Sequence, residues 1–287
     1  MSTKPGNLYL CATPVGNLED MSFRAVRVLK EADCIAAEDT RHTRKLLTHF
    51  DIHTPLLAYH EHNKTSQGPV LIERLTAGET IVVVSDAGMP GISDPGVHLV
   101  QLAIAAGLPV TPIPGANALL PALVGSGLDT THFTFIGFLP KTKKKRHELL
   151  TYLAAQPFTL VFYESPHRLK TMLAELHQLL GDRQAAAARE LTKKFEEFVR
   201  STLGGLMAHF DIHQPRGEFT IVVAGNTQSP GEKTQEHAGG NREESPLAAV
   251  QRLITDGINK KDAIRMVASE KGLSRRDVYQ AVIGAGI

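Results

Sequence analysis

The chain has 287 residues, 42% hydrophobic and 21% charged, with a formal net charge of +1. That is enough for two compact domains of ordinary soluble composition and a small appendage. It excludes a strongly basic nucleic-acid coat, and the longest apolar runs, such as Thr80–Val84 and Thr159–Phe162, fall well short of the roughly 18 residues of a membrane span. The segment Met1–Asn7 lacks the apolar stretch and small-residue cleavage site of a signal peptide. Cys11 and Cys34 both lie in apolar, strand-like runs. Neither a disulfide framework nor a cysteine zinc site is expected, and a reducing, cytoplasmic setting fits.

The first half alternates strand-like runs with helical periodicity. Leu8–Thr13 reads as a strand, and Ser22–Lys30 as a helix with Phe23, Val26 and Leu29 on one stripe. Cys34–Ala37 is a strand, Arg41–Phe50 a helix, Pro55–Tyr59 a strand, and Val70–Leu75 a helix. Thr80–Val84, a helix over Val97–Ala106 and the strand Pro109–Ile113 continue the pattern. Such alternation predicts parallel strands with covering helices, an α/β architecture. After Pro114-Gly115 the order changes. Ala116–Val124 is helical, His132–Ile136 and Phe158–Tyr163 are strands, and a basic helix start lies between them. Ser165-Pro166 opens a helix whose buried face is Leu169, Met172, Leu173, Leu176 and Leu180, with Gly181 as its stop. Ala185–Arg189 and Glu218–Ala224 are further strands of a second, mixed α/β domain. Asn226–Ser245 has a linker's composition, and Pro246–Ile287 carries three short helical patterns.

Several strand ends carry more than a connection needs. Thr13–Leu18 puts Gly16 just after the first strand, where backbone can meet a ligand or simply turn. Ser85–Gly96 follows the most apolar strand and holds three glycines, two prolines and Asp86 and Asp94. Loops at the carboxyl ends of parallel strands are where open α/β sheets bind ligands, and this charge suits an ammonium or sulfonium group. No Walker phosphate loop or dinucleotide fingerprint is present; Gly125-Ser126-Gly127 lacks a third glycine and a preceding strand. His60-Glu61-His62 has the wrong spacing for a helical zinc motif, and no metal is expected.

Glu38–Lys45 and Tyr59–Asn63 are polar strand-end segments. Thr40 suits a helix cap, while Arg41, His42 and Arg44 suit phosphate and ribose contact. In Lys141-Thr142-Lys143-Lys144-Lys145-Arg146 five of six residues are cationic. That run reads either as a solvated face or as a mobile basic loop neutralising RNA phosphates. In the tail, Leu247, Val250 and Ile254 form one stripe and Ala263, Ile264 and Val267 another. Ser274–Asp277 is a capping box, and Ala268, Gly272 and Val278 fit a helix-turn-helix. Lys260, Lys261, Arg265, Lys271, Arg275 and Arg276 outnumber the acids there, which suits nucleic acid.

Taken together, Thr13–Leu18, Ala36–Arg41, Ser85–Gly96, Pro114-Gly115, Phe162–Ser165, Ala188–Lys193 and Gly217–Phe219 resemble the signature series of the 16S rRNA (cytidine-2′-O)-methyltransferases, a branch of the tetrapyrrole-methylase superfamily. Order and spacing match over roughly residues 7–225, and the tail resembles that family's small C-terminal domain. The resemblance implies two α/β domains, residues 1–115 and 116–226, with S-adenosylmethionine in the cleft between them. A linker over 227–245 and a helix-turn-helix-like RNA-binding domain over 246–287 complete the chain. It also implies a homodimer acting on a cytidine in the decoding centre of 16S rRNA in the 30S subunit. By motif, Pro14, Asp86, Ala87, Gly88, Met89, Ala116, Asn117, Phe162 and Tyr163 are expected at the cofactor. Asn117 departs from the small or hydroxyl residue of the wider superfamily. Ribose methylation calls for a base, for which Glu190, His60 and Glu38 are candidates, with Arg41 orienting the ribose or a phosphate. Two other readings stay open: a tetrapyrrole C-methyltransferase, which needs no basic run or tail, and a non-enzymatic nucleic-acid-binding regulator.

Overall fold

The computed structural model describes residues 5–92, 94–226, 245–255, 258–270 and 273–284. Ser93, Lys271, Gly272 and most of the expected linker lie outside the described residues. The chain divides into two units, residues 1–229 and 230–287.

The first unit is built on two five-stranded sheets. One comprises β1 (Leu8–Cys11), β2 (Cys34–Ala37), β3 (Leu56–Ala58), β4 (Ile81–Val84) and β5 (Val110–Ile113). Its order is β3-β2-β4-β1-β5 and every pairing is parallel. Helices α1 (Phe23–Glu31), α2 (Thr40–His49), α3 (Lys64–Thr76) and α4 (Gly96–Ala105) connect the strands. Side chains alternate across a strand, so Val82 and Val84 pack with Val28, Leu29 and Leu47 of α1 and α2, while Ile81 and Val83 pack with Leu71, Leu75 and Leu99 of α3 and α4. Burial on both faces explains why β4 is apolar without a break. The helix expected at Val70 starts six residues earlier, at Lys64. Pro69 lies within it, at the cost of its own backbone bond to Thr65. Cys11 and Cys34 are unpaired and buried in β1 and β2, and burial pushes the Cys11 thiol up to about 12.

The second sheet comprises β6 (Phe133–Phe138), β7 (Thr159–Glu164), β8 (Gln184–Arg189), β9 (Glu197–Thr202) and β10 (Phe219–Val223), in the order β6-β7-β10-β8-β9. Only β6 and β7 are parallel, so the expected mixed sheet is present. One face packs on α6 (Lys143–Leu153), α7 (Leu169–Leu180) and α8 (Leu203–Ile212), the other on α5 (Leu119–Ser126). Helix α7 starts at Leu169 and not at the expected Ser165. The Glu164 carboxylate takes the Ser165 N–H at 2.8 Å and faces its hydroxyl at 3.3 Å, so the serine does not cap the helix. Strand β9 and helix α8 were not anticipated.

In the second unit, α9 (Pro246–Thr255), α10 (Lys260–Glu270) and α11 (Arg275–Gly284) enclose Val250, Ala263, Ile264, Val267, Ala268, Val278 and Val282. The expected stripes and packing positions face inward, and Ser274 Oγ accepts the Asp277 N–H at 3.2 Å. Among the described residues no helix is long and apolar enough to cross a membrane.

Candidate active site

A cleft of about 680 Å³ opens in the first unit, within the ~300–1,000 Å³ usual for small-molecule sites. One wall is formed by the loops after β1, β2, β4 and β5, the other by the ends of β7, β8 and β10. The loops after β1 and β4 are stitched together. Thr13 and Gly88 exchange both backbone hydrogen bonds at 2.9 Å, and Thr13 Oγ1 donates to the Ser85 carbonyl at 3.1 Å. Gly88 turns at φ +80°, where a side chain would be strained.

Carboxylates organise this wall. Asp86 accepts the Asp39 N–H at 3.0 Å, tying the loop after β4 to the loop after β2. Asp94 accepts the Gly91 and Gly96 N–H groups at 2.8 Å, closing the aspartate loop on itself. Glu38 also lines the cleft, and its carboxyl is raised above the ordinary value, first by burial and then by the charges of Asp86 and Asp94. Val15, Met89, Ile92, Leu119 and Leu191 supply apolar lining. A wall of fixed negative charge beside apolar surface favours a small cation attached to a flat or aliphatic body.

On the opposite wall, burial pushes the Tyr163 hydroxyl up to about 12, and its ring packs edge-on against Phe135 and Phe138 at 5.0 and 5.7 Å. Glu190 follows β8 at φ +50° and pairs with Lys193 at 3.0 Å. Glu164 is 1% exposed. Its Oε2 has no hydrogen-bond partner and its nearest cation is Arg168, 3.6 Å away.

The sequence pattern of the tetrapyrrole (corrin/porphyrin) methylases matches residues 7–207. The chain belongs to that family. Within it the chain is similar to proteins named ribosomal RNA small subunit methyltransferase I. That of Halalkalibacterium halodurans is 52% identical over 274 residues, covering 96% of this chain and 93% of the relative. That of Bacillus subtilis is 46% identical over 276 residues, covering 96% and 94%. Among solved structures, the methyltransferase CobJ superposes with a TM-score of 0.59 at 19% identity, over 78% of this chain and 95% of that one. Uroporphyrin-III C-methyl transferase from Thermus thermophilus, complexed with S-adenyl homocysteine, gives 0.53 at 22%, over 76% and 97%. These two likenesses establish the methylase fold.

The methylase cleft brings together eight of the residues singled out from sequence: Glu38, Asp86, Ala87, Gly88, Met89, Asn117, Tyr163 and Glu190. Asn117 also accepts the Leu120 N–H at 2.8 Å, bracing the start of α5. Pro14 and Ala116 are not in the lining, but their neighbours Val15, Gly115 and Asn117 are. Four expectations of placement are corrected. Phe162 points the other way: alternation along β7 sends Tyr163 to the cleft and Phe162 into the core with Leu169 and Phe219. His60, after β3, does not line the cleft; its backbone N–H goes to Asn63 and its Nδ1 is buried without a partner. Arg146 is not free for a ligand. Its guanidinium forks onto Glu175 and donates to the Pro140 and Lys141 carbonyls at 3.0 and 3.1 Å. Nor are Lys143, Lys144 and Lys145 on a loop; they are exposed on the first turn of α6. Arg41, His42 and Arg44 are exposed on α2, and the Arg41 guanidinium holds the Asp39 carboxyl down to about 2. Arg275 and Arg276 are exposed at the start of α11. Sequence reasoning passed over Glu164, Lys193 and Glu218 in the lining. All three sat within quoted motifs, but nothing in a motif shows which way a side chain turns.

Proposed function

We propose that this chain is an rRNA methyltransferase that uses S-adenosylmethionine to methylate the ribose 2′-oxygen of a cytidine in the decoding centre of 16S rRNA. The observation that carries the reading is the 52% identity to a ribosomal RNA small subunit methyltransferase I along 96% of the chain, tail included. The cleft's chemistry supports it. Fixed carboxylates at Asp86 and Asp94 suit a sulfonium and an ammonium, and the apolar lining suits an adenine ring. A solved neighbour of the same fold holds S-adenyl homocysteine.

When bound, S-adenosylmethionine supplies an electrophilic methyl group, whose bond to sulfur breaks as the ribose oxygen bonds to carbon. The chain's part is to align the oxygen with that methyl and take the hydroxyl proton. Glu38 is the base in this reading, because its raised proton affinity suits that task better than an ordinary carboxylate's. Glu190, held by Lys193 on the other wall, is the competing assignment. Arg41, His42, Arg44, Lys143, Lys144 and Lys145 meet RNA phosphates, and the second unit adds Arg275 and Arg276 as an RNA-binding module. The reading places the chain in the cytoplasm, as a homodimer acting on the 30S subunit.

Methyl transfer to a tetrapyrrole carbon, the activity named for a solved neighbour, needs neither the lysines of α6 nor the second unit. Labelled S-adenosylmethionine incubated with 30S subunits, free 16S RNA or uroporphyrinogen separates the two. Label in a 16S ribose is expected; label in the porphyrinogen alone overturns the proposal.

A further inference from the structure

Between β8 and β9 the chain makes a tight loop, Glu190–Glu196, at the rim of the cleft, which Glu190, Leu191 and Lys193 line. Glu190 and Thr192 take φ +50° and +67°, left-handed conformations that are costly without glycine. Four hydrogen bonds hold them there. Lys193 N–H donates to the Glu190 carbonyl at 3.0 Å and Glu196 N–H to the Lys193 carbonyl at 3.1 Å. Thr192 N–H donates to the Glu196 carboxylate at 2.6 Å, and Lys193 Nζ to the Glu190 carboxylate at 3.0 Å. The Lys193 stem also lies against Gly16, where a Cβ would stand 2.3 Å from Lys193 Cγ. These contacts offset the backbone strain and hold one shape against the opposite wall.

That shape presents Phe195, which is 69% exposed and belongs to none of the packed clusters. The Lys194 ammonium lies 5.7 Å from its ring centre. The acids of the segment are engaged elsewhere: Glu190 with Lys193, Glu196 with the Thr192 N–H, and Glu197 with Arg189. Among the described residues Lys194 forms no ion pair. The tip of the loop is therefore an exposed aromatic ring with a cation that has no acidic partner over one face, leaving the other face to solvent. The same turn that brings Glu190 and Lys193 to the cleft carries the Phe195 ring into solvent. An aromatic face for a base and a cation for a phosphate is the chemistry by which proteins hold single-stranded nucleic acid.

We infer that Phe195 is a stacking platform for an unpaired RNA base beside the nucleotide presented to the cleft, with Lys194 on the adjoining phosphate. The inference rests on the RNA-methylation reading above. A ribose in folded RNA reaches an enclosed cleft only if its nucleotide is splayed out, and stacking on protein offsets the stacking lost in the RNA.

The chain contains no tryptophan, so Phe195→Trp installs a single fluorescent reporter at the proposed platform. Single-stranded oligocytidylate should quench its emission. Phe195→Ala should bind that oligonucleotide roughly ten- to a hundredfold more weakly, the range for one aromatic–base stack, and raise KM for 30S subunits without changing S-adenosylmethionine affinity. Phe195→Tyr should restore both. Unquenched emission at saturating RNA, or wild-type RNA affinity in Phe195→Ala, overturns the inference. So does a change of sedimentation in Phe195→Ala, which would mean that the ring packs against a second copy of the chain. If the wild type methylates no rRNA while RNA still quenches the reporter, the methylation reading fails alone. If methylation proceeds and the Phe195 variants bind normally, the platform fails alone.

Discussion

On the cleft wall built from the first sheet, the polar groups are carboxylates bound to backbone: Asp86 to Asp39, Asp94 to Gly91 and Gly96. On the wall built from the second sheet, Glu190 is bound to a lysine side chain, and Glu164 divides its oxygens between the Ser165 N–H and the side of Arg168. The exposed lysines of α6 belong to the same half of the unit. A carboxylate held by N–H groups loses its freedom, which fixes its position beside a small cation. Side chains paired with side chains can exchange partners, which suits a large polyanion whose contacts vary. The two walls thus differ less in residue type than in what anchors each charge.

The sharpest way to break this comparison is at the base. Glu38→Gln should lower kcat by about 10²–10⁴-fold, the usual worth of general-base catalysis, with S-adenosylmethionine affinity retained by calorimetry. A larger loss in Glu190→Gln would move the base to the second wall. The pH profile carries the same information. Because burial and two neighbouring aspartates raise Glu38, kcat should fall on acidification through a midpoint above the ordinary carboxylate range. The sign for stability is opposite: the fold disfavours ionised Glu38, so stability declines as pH rises from the ordinary to the raised value. Glu38→Gln removes that decline, and thermal unfolding across this window checks it.

Adjacent residues of β7 sharpen the second wall. Phe162→Ala should cost about 3–5 kcal/mol of stability, as for other buried phenylalanines. Tyr163→Phe should leave stability close to wild type and change ligand affinity instead. Denaturant unfolding beside calorimetry distinguishes them, and a destabilised Tyr163→Phe that still binds ligand normally would make Tyr163 a core residue. Asp86→Ala should both weaken S-adenosylmethionine binding and destabilise the fold by about 1–3 kcal/mol, since it strands the Asp39 N–H. Stability equal to wild type would show the tie to be dispensable. The smallest effect is expected from the exposed cations. Lys143, Lys144 and Lys145 replaced together by alanine should reduce the slope of log RNA affinity against log salt by about 2–3. Parallel slopes would mean that this turn does not meet the substrate.

The first sheet was legible almost to the residue, because parallel strands buried on both faces leave unbroken apolar runs such as Ile81–Val84. Strand β9 was not, since an edge strand reading Glu-Phe-Val-Arg-Ser-Thr is half exposed and carries two charges. Helix α8 was hidden by Gly204-Gly205 just inside its start, where the Thr202 hydroxyl accepts the Gly205 N–H. In the cleft, the polar and glycine-rich strand ends pointed to Asp86, Gly88 and Glu38, which all lie in its lining. Motif position could not tell Tyr163 from Phe162, because adjacent strand residues face opposite ways. It also could not show that Arg146 spends its guanidinium on Glu175, because that partner lies on another helix.

The paired bonds between Thr13 and Gly88 have a consequence for how the cleft opens. Each amide is shielded from solvent by the carbonyl of the other residue, so neither can exchange its hydrogen until the loops after β1 and β4 part. The two amides report one opening event, although they lie on different strand ends. A ligand gripping either loop closes that opening and slows both hydrogens together. If the two loops open as one, a ligand contact at Met89 should slow exchange of the Thr13 amide as well as that of Gly88.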